Sequence, residues 1–377
     1  MLPQYLSNKI EDYVKKYKIS ERYKNEIVKR VSGAYENAKI APGESIGVVT
    51  AESFGEPATQ LTLNVFHFAG VAEMQVTVGL PRLIEIFDAR KKPSTPQMKI
   101  PIKAKYAKTT EMVKDVAIKI KETKMGEIIQ EISINVAKNS IEIVLDRKKL
   151  RELDIKPKYV LGKLVESMKN VDIKETDEGF VLKSKDKEIT LSEVYKLKEK
   201  VKNIHVRGLS GVTHILPVKN EDGTYIVHCA GSNLKEALVL EEADTDKVIT
   251  NNIFEVEEVL GIEAARAAII DEAFKVIKEQ GLDVSVRHIM LLAEVMTRLG
   301  DIKGITRTGI TGEKESVLAR ASFETPIKHI INASLIGEKD YLNSVVENVI
   351  INQPVPLGTG LPGLVAKMMS GMENEQS

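Results

Sequence analysis

The sequence has almost none of the residues that build disulfide frameworks or multi-cysteine zinc sites. Its 377 residues include one cysteine, Cys229, and no tryptophan. A single cysteine excludes an internal disulfide and any zinc site that needs several cysteines. We interpret Cys229 as a plain buried or semi-buried thiol.

The chain also lacks an excess of charge and a long apolar run. Lys and Arg together number 54, and so do Asp and Glu, which leaves a formal net charge of zero. Stand-alone nucleic-acid-binding proteins usually carry a basic excess, so we expect any such contact to be local or shared with other chains. No run approaches a membrane span, and the charged N-terminus is unlike a signal peptide. We expect a cytoplasmic protein without membrane contact.

Motifs of common nucleotide and metal enzymes are missing as well. There is no G-x-x-x-x-G-K-[ST], no H-E-x-x-H and no serine elbow. GTGLPG at 358–363 matches G-x-G-x-x-G, but too little chain follows to build the required βαβ unit, so we interpret it as a turn. The histidines show no zinc spacing, and we predict no metal site in this chain.

The most informative stretch is GEPATQLTLNVFHFAG, residues 55–70. If Ala58–Phe68 is a helix, Gln60, Leu63, Asn64 and His67 fall on one face. Two amides, a branched apolar group and an imidazole together suit a flat heterocycle with hydroxyls and a nearby anion. Spacing alone favours the alternative, a half-buried helix with a hydrogen-bonded histidine.

The same stretch is a poor helix former. It is rich in Thr, Asn, Val and Phe, which rank low in helix propensity, and an isolated helix of this length is marginal. Gly55, Pro57 and Gly70 are candidate hinges. The pattern is typical of a lid that is helical only when a substrate docks on it.

This stretch and others that follow it in order resemble the C-terminal part of the largest subunit of multisubunit DNA-dependent RNA polymerases, whose trigger loop is similar to residues 55–70. The arrangement is most like the second piece, called A double-prime, of the split archaeal subunit. The similar stretches span about residues 40–100 and 200–360: PGESIGVVTAESFGEPATQ (Pro42–Gln60), VTVGLPRLIEIFDA (Val76–Ala89), EVLGIEAARAAI (Glu258–Ile269), RHIMLLAEVMT (Arg287–Thr297), ITRTGI (Ile305–Ile310), ARASFE (Ala319–Glu324) and ENVIINQPVPLGTG (Glu347–Gly360).

The resemblance implies roles for single residues. Leu63 would pack on the incoming base, Gln60 and Asn64 would contact the ribose hydroxyls, and His67 would sit at the β-phosphate. Val65 departs from the family, where threonine is common. It lies on the apolar face, so we expect altered lid packing and intact chemistry.

The resemblance also implies partners. Nucleotidyl transfer in this family needs Mg²⁺ held by a D-F-D-G-D type motif, which this sequence lacks. The Mg²⁺ site and the bridge helix would therefore belong to a larger partner subunit. The second-largest subunit, smaller subunits, DNA template, RNA product and nucleoside triphosphates complete the expected partners.

We predict a mixed α and α+β fold in three parts. Residues 1–97 would hold N-terminal helices and the lid, 98–235 an α+β insert like the family's jaw, and 236–377 a helical cleft and clamp-base region. Lysines of the insert would face downstream DNA or simply form a solvated surface, two alternatives of equal weight.

The expected elements follow from hydrophobic periodicity. We predict two helices within 5–37, a short helix Glu44–Phe54 stopped by Gly55 and Pro57, and long helices Val256–Gln280 and Val284–Leu299. In the insert we predict a helix Thr110–Glu122, a strand Met98–Tyr106, a hairpin Glu131–Asp146 turning near Asn139, a turn at Asn220–Gly223, and short strands: Val171–Ile173, Gly179–Lys183, Ile204–Arg207, Thr213–Pro217 and Tyr225–Cys229.

Residues 301–319 resemble a switch segment at the base of the polymerase clamp, which contacts template and hybrid. Arg307, Lys314 and Arg320 are therefore candidate phosphate ligands. Residue pattern alone would favour an ordinary surface loop at 305–315.

Two other function classes stay open. One is a non-catalytic assembly or scaffold subunit with a degenerate lid, which the complete set of Gln60, Leu63, Asn64 and His67 disfavours. The other is an independent nucleotide-binding regulator, which the lack of a phosphate-cradling loop disfavours. Co-purification with a larger subunit that carries the aspartate motif separates these classes.

Overall fold

The computed structural model describes residues 2–61, 79–107, 109–135, 140–168, 171–176, 179–184, 191–219, 223–363 and 365–366, without the side chains at 60, 61, 184 and 191. The chain divides into two compact units. One combines Met1–Glu52 with Thr311–Ser377, and the other is Ser53–Ile310. The predicted division at 97 and 235 stays a prediction.

The first unit is helical in its described residues. The two helices predicted within 5–37 are confirmed as α1 (Gln4–Tyr17) and α2 (Glu21–Asn37). After a 3₁₀ turn at Ile310–Glu313, three short helices follow: α14 (Val317–Phe323), α15 (Pro326–Ile336) and α16 (Val345–Ile350). Both α15 and α16 pack against α14.

Helix α3 corrects a predicted boundary. It spans Ile46–Leu61 and continues through Gly55 and Pro57, where we had predicted its end. Proline in a helix interior removes one hydrogen bond. Phe54 and Ala58, on either side of Pro57, both pack into an apolar cluster, and this packing holds the helix together across the proline.

The second unit contains antiparallel sheets. One has the order β10-β1-β9-β8 and another β3-β4-β6-β5, while β2 and β7 form a pair. The strands are β1 (Gln97–Pro101), β2 (Thr123–Lys124), β3 (Ile129–Asn135), β4 (Ser140–Leu145), β5 (Val171–Thr176), β6 (Gly179–Ser184), β7 (His205–Arg207), β8 (His214–Lys219), β9 (Tyr225–Ala230) and β10 (Ile249–Thr250). They confirm the predicted strands, although β1 ends five residues earlier than Tyr106. Asn139 and most of the turn at 220–223 lie outside the described residues.

Each four-stranded sheet buries one face against helices. Strands β1 and β9 pack on α5 (Thr110–Ile120). Cys229 of β9 lies in that core, and burial raises the pKa of its thiol to about 12. The other sheet packs on α8 (Pro157–Ser167) and α9 (Leu191–Lys202). Short helices α6 (Met125–Ile128), α7 (Arg147–Glu152) and α10 (Leu234–Ala237) and a 3₁₀ turn at Thr245–Lys247 connect the strands.

Helices on either side of the sheet region form the remaining core. These are α4 (Leu80–Phe87), α11 (Ile253–Leu260), α12 (Ile262–Glu279) and α13 (Val286–Thr297). The helix predicted over Val256–Gln280 is therefore two helices. Gly261 separates them with a φ of +92°, a region that glycine enters without strain. The mixed α and α+β fold class is confirmed.

Candidate nucleic-acid interface

The predicted nucleotide-contacting face lies mostly outside the described residues. Leu63, Asn64, His67 and Gly70 belong to the undescribed stretch 62–78, and Gln60 is described only as backbone in α3. The structure therefore does not test whether these residues share a face, and their roles stay predictions.

Both helices that border this stretch pack into the same apolar cluster. Phe54 of α3 meets Phe87 of α4 edge to face, with ring centroids 5.2 Å apart. Ala58 of α3 and Leu83 of α4 also belong to this cluster. Its other buried members come from α12, from the loop after it and from α13: Ala273, Val276, Ile277, Val284 and Ile289. The described chain on each side of 62–78 is thus fixed to one core.

A buried ion network also fixes α4. Arg82 exposes only 5% of its surface and Glu85 only 4%. Arg82 Nη1 donates to Glu85 Oε2 at 3.0 Å, and Nη2 donates to Glu272 Oε2 of α12 at 3.2 Å and to the Asn251 carbonyl at 2.7 Å. Buried charges are tolerated when paired and hydrogen-bonded, and these bonds tie α4 to α12 and to the segment before α11.

Glu85 carries a second set of contacts. The Ser94 amide donates to Glu85 Oε1 at 3.2 Å, and the Ser94 hydroxyl donates to the same oxygen. Burial raises the pKa of Glu85, but the hydrogen bonds from Ser94 and Arg82 outweigh burial and hold its pKa below the usual range. Glu85 is therefore a stable carboxylate that joins α4 to the connector after it.

The loop at 303–310 is hydrogen-bonded to the end of α4. It contains the predicted phosphate ligand Arg307. The Ile305 amide donates to the Phe87 carbonyl at 2.7 Å, and the Lys303 amide donates to the Met296 carbonyl at 2.9 Å. The Ile310 amide closes the loop by donating to the Gly304 carbonyl at 3.0 Å. This pattern gives the loop a defined conformation on α4 and α13.

Two glycines make that conformation possible. A Cβ at Gly304 would lie 2.4 Å from the Asp88 carbonyl oxygen, and a Cβ at Gly309 would lie 2.1 Å from the Gly304 carbonyl oxygen. No side chain fits at such distances. The glycines let the loop stack on the α4 terminus and on itself, with Arg307 exposed between them.

The other two candidate ligands belong to the first unit. Lys314 is exposed. Arg320 of α14 is mostly buried, and its Nη2 contacts Glu338 Oε1 at 2.5 Å. Among the described residues, Arg320 Nε has no hydrogen-bond partner. Arg320 thus has a structural ion pair. Arg307 and Lys314 occupy exposed positions.

A polar cluster holds α14. Ser316 caps the helix by accepting from the Ala319 amide at 3.0 Å and donates to Asp340 Oδ2 at 2.7 Å. The Leu318 amide also donates to that oxygen. Burial raises the pKa of Asp340, but hydrogen bonds from Ser316 and backbone amides outweigh it and hold the pKa below its usual range. The segment after α15 therefore fixes the start of α14.

Sequence reasoning missed Arg82, Glu85, Glu272 and the two glycines. One local signal was present, because an arginine and a glutamate three residues apart interrupt the apolar sequence LPRLIEIF of α4. Such a pair within one helical turn indicates an ion pair. The partner Glu272, 190 residues away, has no local signal.

The described residues contain no group of three His, Cys, Asp or Glu side chains arranged to hold a metal ion. In the part of the chain that the structure describes, no helix is long and apolar enough to cross a membrane.

Comparison with known proteins identifies the family. Residues 3–318 match the family described as RNA polymerase Rpb1, domain 5. The chain thus belongs to this family of largest-subunit segments of RNA polymerase, which confirms the resemblance. It is 44% identical to the DNA-directed RNA polymerase subunit Rpo1C of Thermococcus gammatolerans over 364 residues, which cover 96% of this chain and 92% of that relative.

Proposed function

We propose that this chain is a subunit of a DNA-directed RNA polymerase of the archaeal type, active in nucleotidyl transfer only within the assembled enzyme. The carrying observation is the 44% identity to Rpo1C across nearly the whole of both chains. In the assembled enzyme, the RNA 3′-hydroxyl attacks the α-phosphate of a nucleoside triphosphate and pyrophosphate leaves. The Mg²⁺ for this step is held by the larger partner subunit.

Within that enzyme, residues 55–70 act as the trigger loop. Leu63 packs on the base, Gln60 and Asn64 contact the ribose, and His67 faces the β-phosphate. Two observations support this assignment: α3 contains residues 55–61 and leads into the rest of the stretch, and α3 and α4 are both fixed in one core through Phe54, Ala58 and Leu83. A binding site is positioned more precisely when the elements that carry it are rigid.

The clamp-base part of the proposal rests on Arg307. Its loop has a defined conformation on α4, and Arg307 is an exposed residue of that loop. Arginine suits phosphate because its fork of N–H donors matches the phosphate oxygens. Arg320 is the weaker candidate, because a phosphate contact requires it to leave Glu338.

Arg307→Ala tests this contact in the assembled polymerase. We expect weaker binding to template DNA of any sequence, and the slope of log binding constant against log salt should become smaller by about one. The measurement is binding of the assembled enzyme to a DNA–RNA scaffold over a range of salt concentrations.

Arg30→Ala is the matched control, since Arg30 is an exposed arginine on α2 paired with Glu26. A salt slope that is the same for Arg307→Ala and the unmodified enzyme would show that Arg307 contacts no phosphate.

A further inference from the structure

Three consecutive basic residues follow α4 after two intervening residues, Asp88 and Ala89. Arg90, Lys91 and Lys92 begin the connector to β1, and all three are exposed. They lie close to the Arg307 loop, because α4 ends at Phe87 and that loop is hydrogen-bonded to the Phe87 carbonyl.

Backbone contacts attach both the basic connector and the 303–310 loop to the end of α4. The Ile305 amide bonds to the Phe87 carbonyl at 2.7 Å. Gly304 lies so close to Asp88 that a Cβ would be 2.4 Å from its carbonyl oxygen. The connector is itself tied to α4, because the Arg90 amide donates to the Glu85 carbonyl at 3.1 Å. Both basic segments are therefore attached to the C-terminal end of α4.

The local charge is basic. The two segments contribute Arg90, Lys91, Lys92, Lys303 and Arg307, against the carboxylates of Asp88 and Asp301. Arg90 approaches Asp88 only at 4.0 Å, and both side chains are about half exposed. Such surface pairs are weak and exchange readily for other partners. A local basic surface attracts anionic ligands even when the net charge of the chain is zero.

The basic residues after α4 could also serve the stability of the helix, and this role must be distinguished from ligand binding. Cations near a helix C-terminus stabilise it through the helix dipole, and Arg90, Lys91 and Lys92 lie just beyond the C-terminus of α4. That effect needs no ligand, falls off within a turn, and acts on stability alone. It does not explain why Lys303 and Arg307 are brought to the same end of the helix.

We propose that Arg90, Lys91 and Lys92 form one phosphate-binding surface with the 303–310 loop, and that its ligand is the sugar-phosphate backbone of DNA. This inference rests on the proposed function, since it extends the Arg307 contact to a second segment. Lysine binds phosphate as a point charge without fixed geometry, so the connector adds affinity that does not depend on base sequence.

The test compares two double variants in the assembled polymerase bound to a DNA–RNA scaffold. Lys91→Gln/Lys92→Gln removes two charges from the connector. Lys15→Gln/Lys16→Gln removes two charges from α1 and is the matched control. We expect the salt slope of binding to become smaller by about two in the first variant and to be unchanged in the second. Arg307→Ala is measured in parallel.

The outcomes are distinct. A normal salt slope in Lys91→Gln/Lys92→Gln together with a smaller slope in Arg307→Ala overturns the connector surface and leaves the Arg307 contact standing. Normal slopes in both overturn both. Equal losses in the two double variants also overturn the proposal, because they indicate a general effect of charge. A lower melting temperature with a normal salt slope in Lys91→Gln/Lys92→Gln would also overturn it. That result would show that the connector lysines only stabilise α4 through its helix dipole.

Discussion

Replacing Arg82 by Ala is expected to lower the free energy of unfolding by about 3–5 kcal/mol. The substitution leaves Glu85, with 4% of its surface exposed, without its cationic partner. Glu272 and the Asn251 carbonyl lose a donor as well. Thermal and denaturant unfolding of the full chain measures the change.

Arg30→Ala provides the matched comparison, because Arg30 also pairs with a glutamate on its own helix but is exposed. We expect that variant to lose less than about 1 kcal/mol. Equal losses in the two variants would show that the Arg82 network does not hold α4 in place.

The same network gives the protein an acid-sensitive component of stability. The pKa of Glu85 in the folded chain lies below its usual value. Its contribution is therefore fully present above the unfolded pKa of about 4.3 and is lost as the pH falls through the lower folded-state pKa. The Ser94 hydroxyl is the larger of the two side-chain causes that lower this pKa, and Arg82 is the second. Arg82→Ala removes only the second, so less stability, but not none, should remain to be lost below about pH 4.3.

His67→Ala is expected to slow nucleotide addition by roughly a hundredfold to ten-thousandfold in the assembled enzyme, the usual range for general acid catalysis. Negative charge builds on pyrophosphate as it leaves, and a proton donor or cation at the β-phosphate stabilises it. The pKa of an unperturbed histidine, about 6.5, suits this task. Rapid-quench measurement of single additions gives the rate.

His67→Gln separates proton transfer from positioning. If His67 donates a proton, Gln should be about as slow as Ala, and the alkaline limb of the pH–rate profile should vanish. Near wild-type rates with an unchanged profile would show that the ring only positions the triphosphate. Leu63→Ala is the control, because loss of base packing should slow addition without altering the pH profile. Normal rates in every variant would favour the scaffold alternative.

Local patterns predicted the regular elements well, for identifiable reasons. Apolar residues at helical spacing predicted α1 and α2, and alternation predicted β3 with β4. The errors concern glycine and proline. The helix predicted over Val256–Gln280 divides at Gly261, whose positive φ ends α11. Pro57 is a predicted helix stop, yet the contacts of Phe54 and Ala58 carry α3 past it.

The candidate interface was less accessible to sequence reasoning because long-range contacts build it. The resemblance indicated Arg307, but the support of its loop comes from Phe87 and Asp88, which lie more than two hundred residues earlier in the chain. Glycines at 304 and 309 are indistinguishable in sequence from ordinary loop glycines. For Arg320 the resemblance indicated a phosphate contact, whereas the structure pairs its guanidinium with Glu338.

Template-directed RNA synthesis measures most directly whether this chain is an obligatory polymerase subunit. Three samples are compared under the same conditions: the isolated chain, the remaining polymerase subunits without it, and the two combined. Under the proposed function the Mg²⁺ site and the trigger loop lie on different chains, so we expect RNA only from the combined sample. RNA synthesis by the isolated chain, or undiminished synthesis by the remaining subunits alone, would contradict the proposed function.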